Sequence, residues 1–348
     1  MSSFSQDRIV LNYFNEVLAA FHRAENTSKN PIMRSFQIGG HNIHLIFANS
    51  SLIPYLCPAI EHLEIFEYSI PDLTILLWDK ESTGIEIPDA PWDVADYIKR
   101  KEIWYFDSER LKINYSPHKA EICLIDLEKK LAIYYSDKVT KVAEIDSKSP
   151  LIQIFFWWFK NAKKYIIHAA AVGEIKGGVL LVGKSGSGKS TTALVCLEYG
   201  MFYVSDDYCL LDNSNRPYVY SLYNSAKVHR NEINHYPLLM NHSTINIIPD
   251  TEEALFFLNR RFGNRLKSGF PVKTVLLPYV TGLNDSDLIP ISPAEALLSL
   301  APSTILQLRE RENHSIREMS RLVSLVPCYT FLLGTNKSKI IECIKKVL

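Results

Sequence analysis

The chain has 348 residues, and Lys+Arg and Asp+Glu are both 38, so its formal net charge is zero. A composition of 47% hydrophobic and 22% charged residues, with only 14 Gly and 17 Pro, excludes a disordered, collagen-like or low-complexity chain. The absence of a basic excess argues against nucleic acid as the main partner, and the length is enough for two domains.

The opening segment, MSSFSQDRIV, has neither the charged stretch nor the apolar core of a signal peptide. The most apolar run, Leu151 to Phe159, is far short of the ~20 residues that a membrane span needs. Six cysteines, at 57, 123, 196, 209, 328 and 343, show no CxxC and no regular spacing, which reads as reduced and mostly buried thiols. These features predict a cytoplasmic protein with no membrane partner.

In chain order, Gln6 to His22 follows a helical period, with Leu11, Phe14, Val17, Leu18 and Phe21 on one stripe. After Pro31 the pattern turns strand-like in FQIGGHNIHLIFA, LTILLWD and EIWYF. AEICLIDLEKKLAIYYSD reads as a hairpin turning near Glu128–Lys130, and the tract at 84–93 reads as a connecting loop. An N-terminal α+β domain, 1–148, is expected to end in the polar stretch near Asp146–Pro150, with a substrate-binding or regulatory task. The second domain, 149–348, opens on a predicted helix, LIQIFFWWFKNA, whose aromatic run suits a core or an interface. Two strands joined at Glu174–Gly178 follow. Further on, a strand is expected at Lys273–Leu277 and helices at Pro293–Leu300, Ser315–Val326 and Lys337–Val347.

Between these elements lies one motif with chemistry attached. Gly183, Lys184, Ser185, Gly186, Ser187, Gly188, Lys189 and Ser190 satisfy G-x-x-x-x-G-K-[ST] at every fixed position. GVLLV before it is a buried-strand run, and TTALVCLEY after it is a helical run ending at Gly200, so the setting is strand, glycine-rich turn, helix. Gly186 and Gly188 let consecutive N–H groups turn inward around phosphate oxygens, at a helix N-terminus that favours negative charge. Lys189 can then reach the terminal phosphates, and the Ser190 hydroxyl can ligate Mg²⁺.

The next predicted strand ends at an acidic pair, Asp206 and Asp207. If that strand neighbours the one before the loop, both carboxylates lie beside the phosphate site, where open α/β sheets bind ligands. Adjacent residues of a strand face opposite sides, so the two are expected to take separate roles. A solvated turn leading into Tyr208 is the plainer alternative.

The segment from His168 to Asp207 resembles the kinase domain of bacterial HPr kinase/phosphorylase and the wider set of HPr-kinase-related serine kinases. The likeness is carried by the histidine fifteen residues before Gly183, the strand pair, the loop GKSGSGKS and the VSDD pair after the helix. It implies an α/β fold like that of phosphoenolpyruvate carboxykinase, with a P-loop set in a mixed sheet. It also implies ATP- and Mg²⁺-dependent phosphorylation of a serine hydroxyl in a protein or peptide. His168, Asp206, Asp207 and Lys189 then stand at catalytic positions, residues 183–190 and Thr191 at the nucleotide, and Ser190 with Asp207 at the metal. Asp206 takes the hydroxyl-orienting role. Because relatives of this kind assemble, a homo-oligomer is expected.

SLYNSAKV (221–228), LLPYVTG (276–282) and ISPAEALLSLAPSTILQL (291–308) resemble a divergent branch, often found beside peptide-modifying enzymes, including those of lasso-peptide pathways. Thr191 departs from the acidic residue of HPr kinases, and their downstream glycine-rich signature has no counterpart. The acceptor and the reverse reaction therefore stay open. So do two other readings: an NTP-binding regulatory or assembly module, and a small-molecule kinase.

Lys227 is placed either to reach the triphosphate or as a surface lysine. Arg260, Arg261, Arg265 and Lys267 form a basic stretch that either clamps an acidic substrate or is a solvated loop. His41, His44, His229 and His235 lack ligand spacing to a carboxylate or thiolate, so no zinc site is read.

Overall fold

The structure is a computed structural model that describes residues 3–91, 104–116, 121–140, 147–240, 246–247, 252–308 and 314–348. Residues 102–103 of the expected EIWYF strand, Trp92 and Asp93 of the expected loop and Asp146 of the expected boundary lie outside those residues. The chain divides into two compact units, Met1–Asn161 and Ala162–Leu348.

The first unit begins with helix α1 (Ser3–Ser28). Its strands are β1 (Ile32–Ile38), β2 (His41–Phe47), β3 (Glu64–Ile65), β4 (Leu73–Asp79), β5 (Trp104–Asp107), β6 (Leu111–Ser116), β7 (Glu121–Asp126) and β8 (Leu131–Ser136). They form one sheet in the order β3-β1-β2-β4-β8-β7-β6-β5. The strand-like FQIGGHNIHLIFA is a pair of strands, because Gly39 and Gly40 both take positive φ and reverse the chain between β1 and β2. The β7–β8 hairpin forms where its turn chemistry places it, with Lys130 left-handed. Helix α1 buries Val10, Tyr13, Phe14, Val17 and Phe21 at helical spacing, against Leu76, Trp78, Ile133 and Tyr135 of the sheet. Helix α2 (Ile152–Asn161), expected at the head of the second domain, belongs to the first unit and contacts β7. Ile154 to Phe159 are all buried, as suits a helix that is apolar all round. The division therefore falls after Asn161 rather than at 148.

The second unit contains β9 (Tyr165–His168), β10 (Ala170–Glu174), β11 (Gly177–Leu181), α3 (Lys189–Glu198), β12 (Phe202–Ser205), β13 (Tyr208–Asp212), β14 (Tyr218–Ser221), β15 (Ser225–His229), β16 (Asn246–Ile247), β17 (Glu253–Phe257), β18 (Gly269–Val280), β19 (Asp287–Pro290), α4 (Pro293–Leu308), α5 (His314–Leu325), β20 (Cys328–Leu333) and α6 (Lys337–Lys345). Its main sheet is mixed. The order is β12-β10-β11-β18-β14-β13-β9, with β20 beside β18 and β19 beside β20. Strands β15, β17 and β16 make a separate small sheet.

Both faces of the main sheet are covered. Val179 and Leu181 pack on one side with Leu194 and Leu197 of α3 and Ile340 and Ile344 of α6. Leu180 and Val182 pack on the other with Leu300 of α4 and Met319 and Leu322 of α5. That double burial is why GVLLV reads as an uninterrupted apolar run. The strand before the acidic pair does not adjoin the P-loop strand, because β10 lies between them. Strand β10 is antiparallel to both, so β11 and β12 run the same way and their C-terminal ends still share one edge. All six cysteines are buried and lie outside any disulfide. Among the described residues no helix is long and apolar enough to cross a membrane.

Candidate active site

The phosphate-type loop follows directly on β11, whose five residues are all buried. Gly183, Gly186 and Gly188 take φ of 139°, 77° and 102°, values that favour glycine. Gly188 is constrained twice over, since a Cβ there would come within 2.6 Å of Leu333 Cδ1. Its carbonyl accepts hydrogen bonds from the Thr192 backbone N–H at 2.9 Å and the Thr192 hydroxyl at 2.7 Å, which fixes the first turn of α3. The Ser187 hydroxyl is buried with no hydrogen-bond partner. An unsatisfied buried donor is costly, and one in a loop of this shape suits a phosphate oxygen.

Lys189 is almost fully buried and bends back over the loop, its Nζ donating to the Gly183 carbonyl at 2.8 Å and the Lys184 carbonyl at 3.1 Å. Burial lowers its pKa, while the nearby Asp206 and Asp207 charges pull the other way. Lys184 and Ser185 are exposed at the tip. Thr191 is exposed too, and its side chain is hydrogen-bonded with Tyr236 rather than turned into the loop. At the far end of α3, Arg265 Nη1 donates to the Leu197 carbonyl at 2.8 Å, and Lys267 lies over the Phe202 ring at 4.4 Å. These two members of the basic stretch thus serve the fold, one as a cation at a helix C-terminus.

The acidic pair interrupts a long ladder. Residues on either side pair in one register, Ala171 with Ser205 and His168 with Tyr208. Between them Asp207 adopts φ of 66°, and its carbonyl still accepts from the Ala169 N–H at 3.2 Å. That left-handed residue breaks the strand alternation on which the opposite-face expectation rested. Asp206 Oδ1 accepts from the Ser190 hydroxyl at 3.1 Å and from the Asp207 N–H at 2.9 Å. Asp207 instead lies 2.9 Å from Lys227 Nζ and 3.8 Å from His168 Nε2. Ser190 is therefore brought to Asp206 and not to Asp207, the partner expected for it.

Asp206 is only 2% exposed. Burial pushes its carboxyl up to about 7, the Asp207 charge adds to this, and the Ser190 hydroxyl opposes it. Burial alone would depress Lys227, but the Asp207 carboxylate outweighs it and the ammonium is held above its ordinary value. Glu253 of β17 is a second carboxylate near Lys227, at 3.8 Å. Sequence reading had no hold on Glu253, because it reaches the site only through the pairing of β15 with β17. Lys227 sits between the buried Ala226 and Val228 and faces away from them. His168 is buried at the end of β9, its backbone N–H donating to the Thr304 hydroxyl at 3.0 Å.

The donor set fits a hard divalent cation, since the Ser190 hydroxyl and the Asp206 carboxylate are adjacent oxygens and, among the described residues, no cation is in direct contact with that carboxyl. No family model matches the chain, and no curated protein matches it by sequence. Among solved structures it is similar to that of the Hpr(Ser) kinase/phosphatase from Coxiella burnetii, at a TM-score of 0.31 and 14% identity, over 52% of this chain and 86% of that one. A likeness of that size assigns nothing to this chain.

Proposed function

We propose that the second unit is an ATP- and Mg²⁺-dependent kinase that transfers the γ-phosphoryl group to a serine hydroxyl of a protein or peptide. One observation carries the reading: the complete glycine loop and the acidic pair meet, through the 3.1 Å Ser190–Asp206 hydrogen bond, at one edge of the sheet. The serine acceptor comes from the motif resemblance, and the lasso-peptide association of the related branch makes a ribosomal peptide precursor one acceptor of this kind.

In this reading the loop N–H groups and the Ser187 hydroxyl cradle phosphate oxygens, and Lys189 exchanges its loop carbonyls for them. Ser190 and Asp206 would hold Mg²⁺, whose charge would offset that of the phosphates. Asp207, set between Lys227 and His168, orients the incoming hydroxyl. An aspartate already paired with a lysine is a weak base. That is no obstacle, because a loose phosphoryl-transfer transition state demands positioning more than proton abstraction.

The test is ADP release from Mg²⁺·ATP on adding serine-containing peptides, with alanine counterparts as controls and phosphoserine mapping of the product. Release that depends on the serine supports the reading. Slow release indifferent to every acceptor would leave an NTP-binding module in its place.

A further inference from the structure

The sheet of the first unit ends on a short strand. β3 is two residues long, stands last in the sheet order and pairs with β1 only at Ser35 and Phe36. Among the described residues, no strand pairs with its outer side. Beyond Ile65 the chain leaves the ladder and runs through 66–71 without helix or strand. It is held at both ends. Arg34 of β1 donates to the Glu64 carboxylate through Nε at 2.6 Å and through Nη2. Asn42 of β2 donates through Nδ2 to the Ile70 carbonyl at 3.3 Å, and the Ser69 hydroxyl lies 3.2 Å from His44 Nε2.

Between those anchors three alternate residues stand in solvent. Phe66, Tyr68 and Ile70 are 91%, 92% and 77% exposed. Single exposed apolar residues are ordinary, but three on one short anchored segment mark an interaction surface. Edge strands are commonly blunted by lysine. Segment 61–72 instead carries Glu61, Glu64, Glu67 and Asp72, with no lysine or arginine. Arg34 answers Glu64, and the Asn42 N–H answers Asp72 at 2.9 Å. Glu67 is exposed between Phe66 and Tyr68.

We infer that this edge docks an extended peptide of alternating basic and apolar residues, which adds as a strand outside β3. Strand addition takes its affinity from main-chain hydrogen bonds and its selectivity from alternate side chains. Here those side chains meet two aromatic rings and an isoleucine, while Glu67 selects positive charge. A second copy of the chain fits this edge less well. Two-fold pairing would set its carboxylates against their own copies. The three side chains also offer only on the order of 500 Å², short of the ~800 Å² per partner of a stable interface. The same charge weighs against an anionic lipid surface. The inference concerns the first unit and stands apart from the kinase reading of the second.

The experiment is fluorescence polarisation of labelled peptides titrated with the full chain at physiological salt. The probe is a peptide of repeated Lys-Val pairs, compared with Glu-Val, Lys-Ser and Lys-Pro repeats of the same length. The wild type should bind the Lys-Val peptide saturably, and the Glu-Val and Lys-Ser peptides about 10-fold or more weakly, the loss expected of a central contact. The Lys-Pro peptide should not bind, because proline has no N–H for the ladder. The double variant Phe66→Ser, Tyr68→Ser alters only side chains that stand in solvent, so it should stay folded and lose about 10-fold or more in Lys-Val affinity. Glu67→Lys should weaken the Lys-Val peptide and strengthen the Glu-Val one. Absence of saturable Lys-Val binding overturns the inference, as does a double variant that binds as the wild type does. Equal binding of the Lys-Pro peptide reduces the contact to charge and overturns strand addition. A wild-type dimer that the double variant abolishes assigns the edge to a second copy and overturns the peptide.

Discussion

Asp126 in the first unit and Asp206 in the second are both essentially removed from solvent, at 0% and 2% exposure. Asp126 accepts from Arg110 through Nε at 3.0 Å and Nη2 at 2.8 Å, and from the backbone N–H groups of Glu128 and Lys129. Burial works against its charge, but those donors win and its pKa lies below the usual carboxylate value. Asp206 has one hydroxyl and one N–H, lies next to another carboxylate, and is pushed the opposite way. The first carboxylate closes a β-hairpin turn with its charge fully met by the chain. The second is a carboxyl that the chain leaves short of partners, beside the glycine loop. Burial alone does not set the direction in which an aspartate is shifted. The supply of partners does.

The sharpest break in that comparison comes from the carboxylates of the second unit. Asp207→Asn should lower single-turnover phosphorylation by about 10²–10⁴ with little change in ATP affinity, since it removes a hydroxyl-orienting group and leaves the loop intact. Asp206→Asn should instead abolish the Mg²⁺ dependence of ATP binding, measured by titration with and without the metal. Near-normal rates in both variants would reduce the pair to a structural turn.

Next in size is Asp126→Ala. It should destabilise the first unit by about 1–3 kcal/mol, the scale of leaving buried hydrogen-bond donors of the turn unmet, read as a lowered midpoint in denaturant. ATP affinity should not change.

A smaller effect separates the two aspartates by pH. The folded chain keeps the Asp206 proton, which the unfolded chain releases above 3.8, up to about 7. The Asp206 contribution therefore falls as pH rises through that window. Thermal midpoints of the nucleotide-free protein, compared at pH 5 and 8, should drop less in Asp206→Asn than in the wild type, and the variant should be the more stable at pH 8. For Asp126 the sign reverses. Its contribution is complete above the unfolded value and is lost as pH falls through the lower folded one, so the wild type's advantage over Asp126→Ala should shrink in acid.

The smallest effect is expected at Thr191, whose side chain engages Tyr236 outside the loop. Thr191→Val should change ATP affinity by less than about 3-fold, a few tenths of a kcal/mol, on the same titration.

How much of this was legible in the sequence follows from how local each feature is. The glycine loop occupies eight consecutive residues, and the strand and helix around it carry their own apolar periods, so spacing alone located it. The hairpin of β7 and β8 was legible for the same reason, since its turn is encoded beside its strands. What spacing could not supply was long-range pairing. The insertion of β10 between β11 and β12 depends on partners about thirty residues apart, and the parallel contacts of β2 with β4 and of β4 with β8 have no local signature at all. The carboxylate roles changed for a related reason. The alternation rule assumes extended backbone, and Asp207 leaves it at φ 66°. Lys227 and Glu253 enter the site through the small sheet, whose pairing nothing near residues 206–207 announces.

The most direct test of the central claim is a calorimetric titration of the wild-type chain and Lys189→Ala with ATP, each in Mg²⁺ and in EDTA. The account predicts saturable, Mg²⁺-dependent binding to the wild type, with Lys189→Ala folded but weakened by about 10²-fold, the scale of a lost charge-assisted contact to phosphate. No detectable heat at millimolar nucleotide in the wild type, or equal binding by the two proteins, would contradict it.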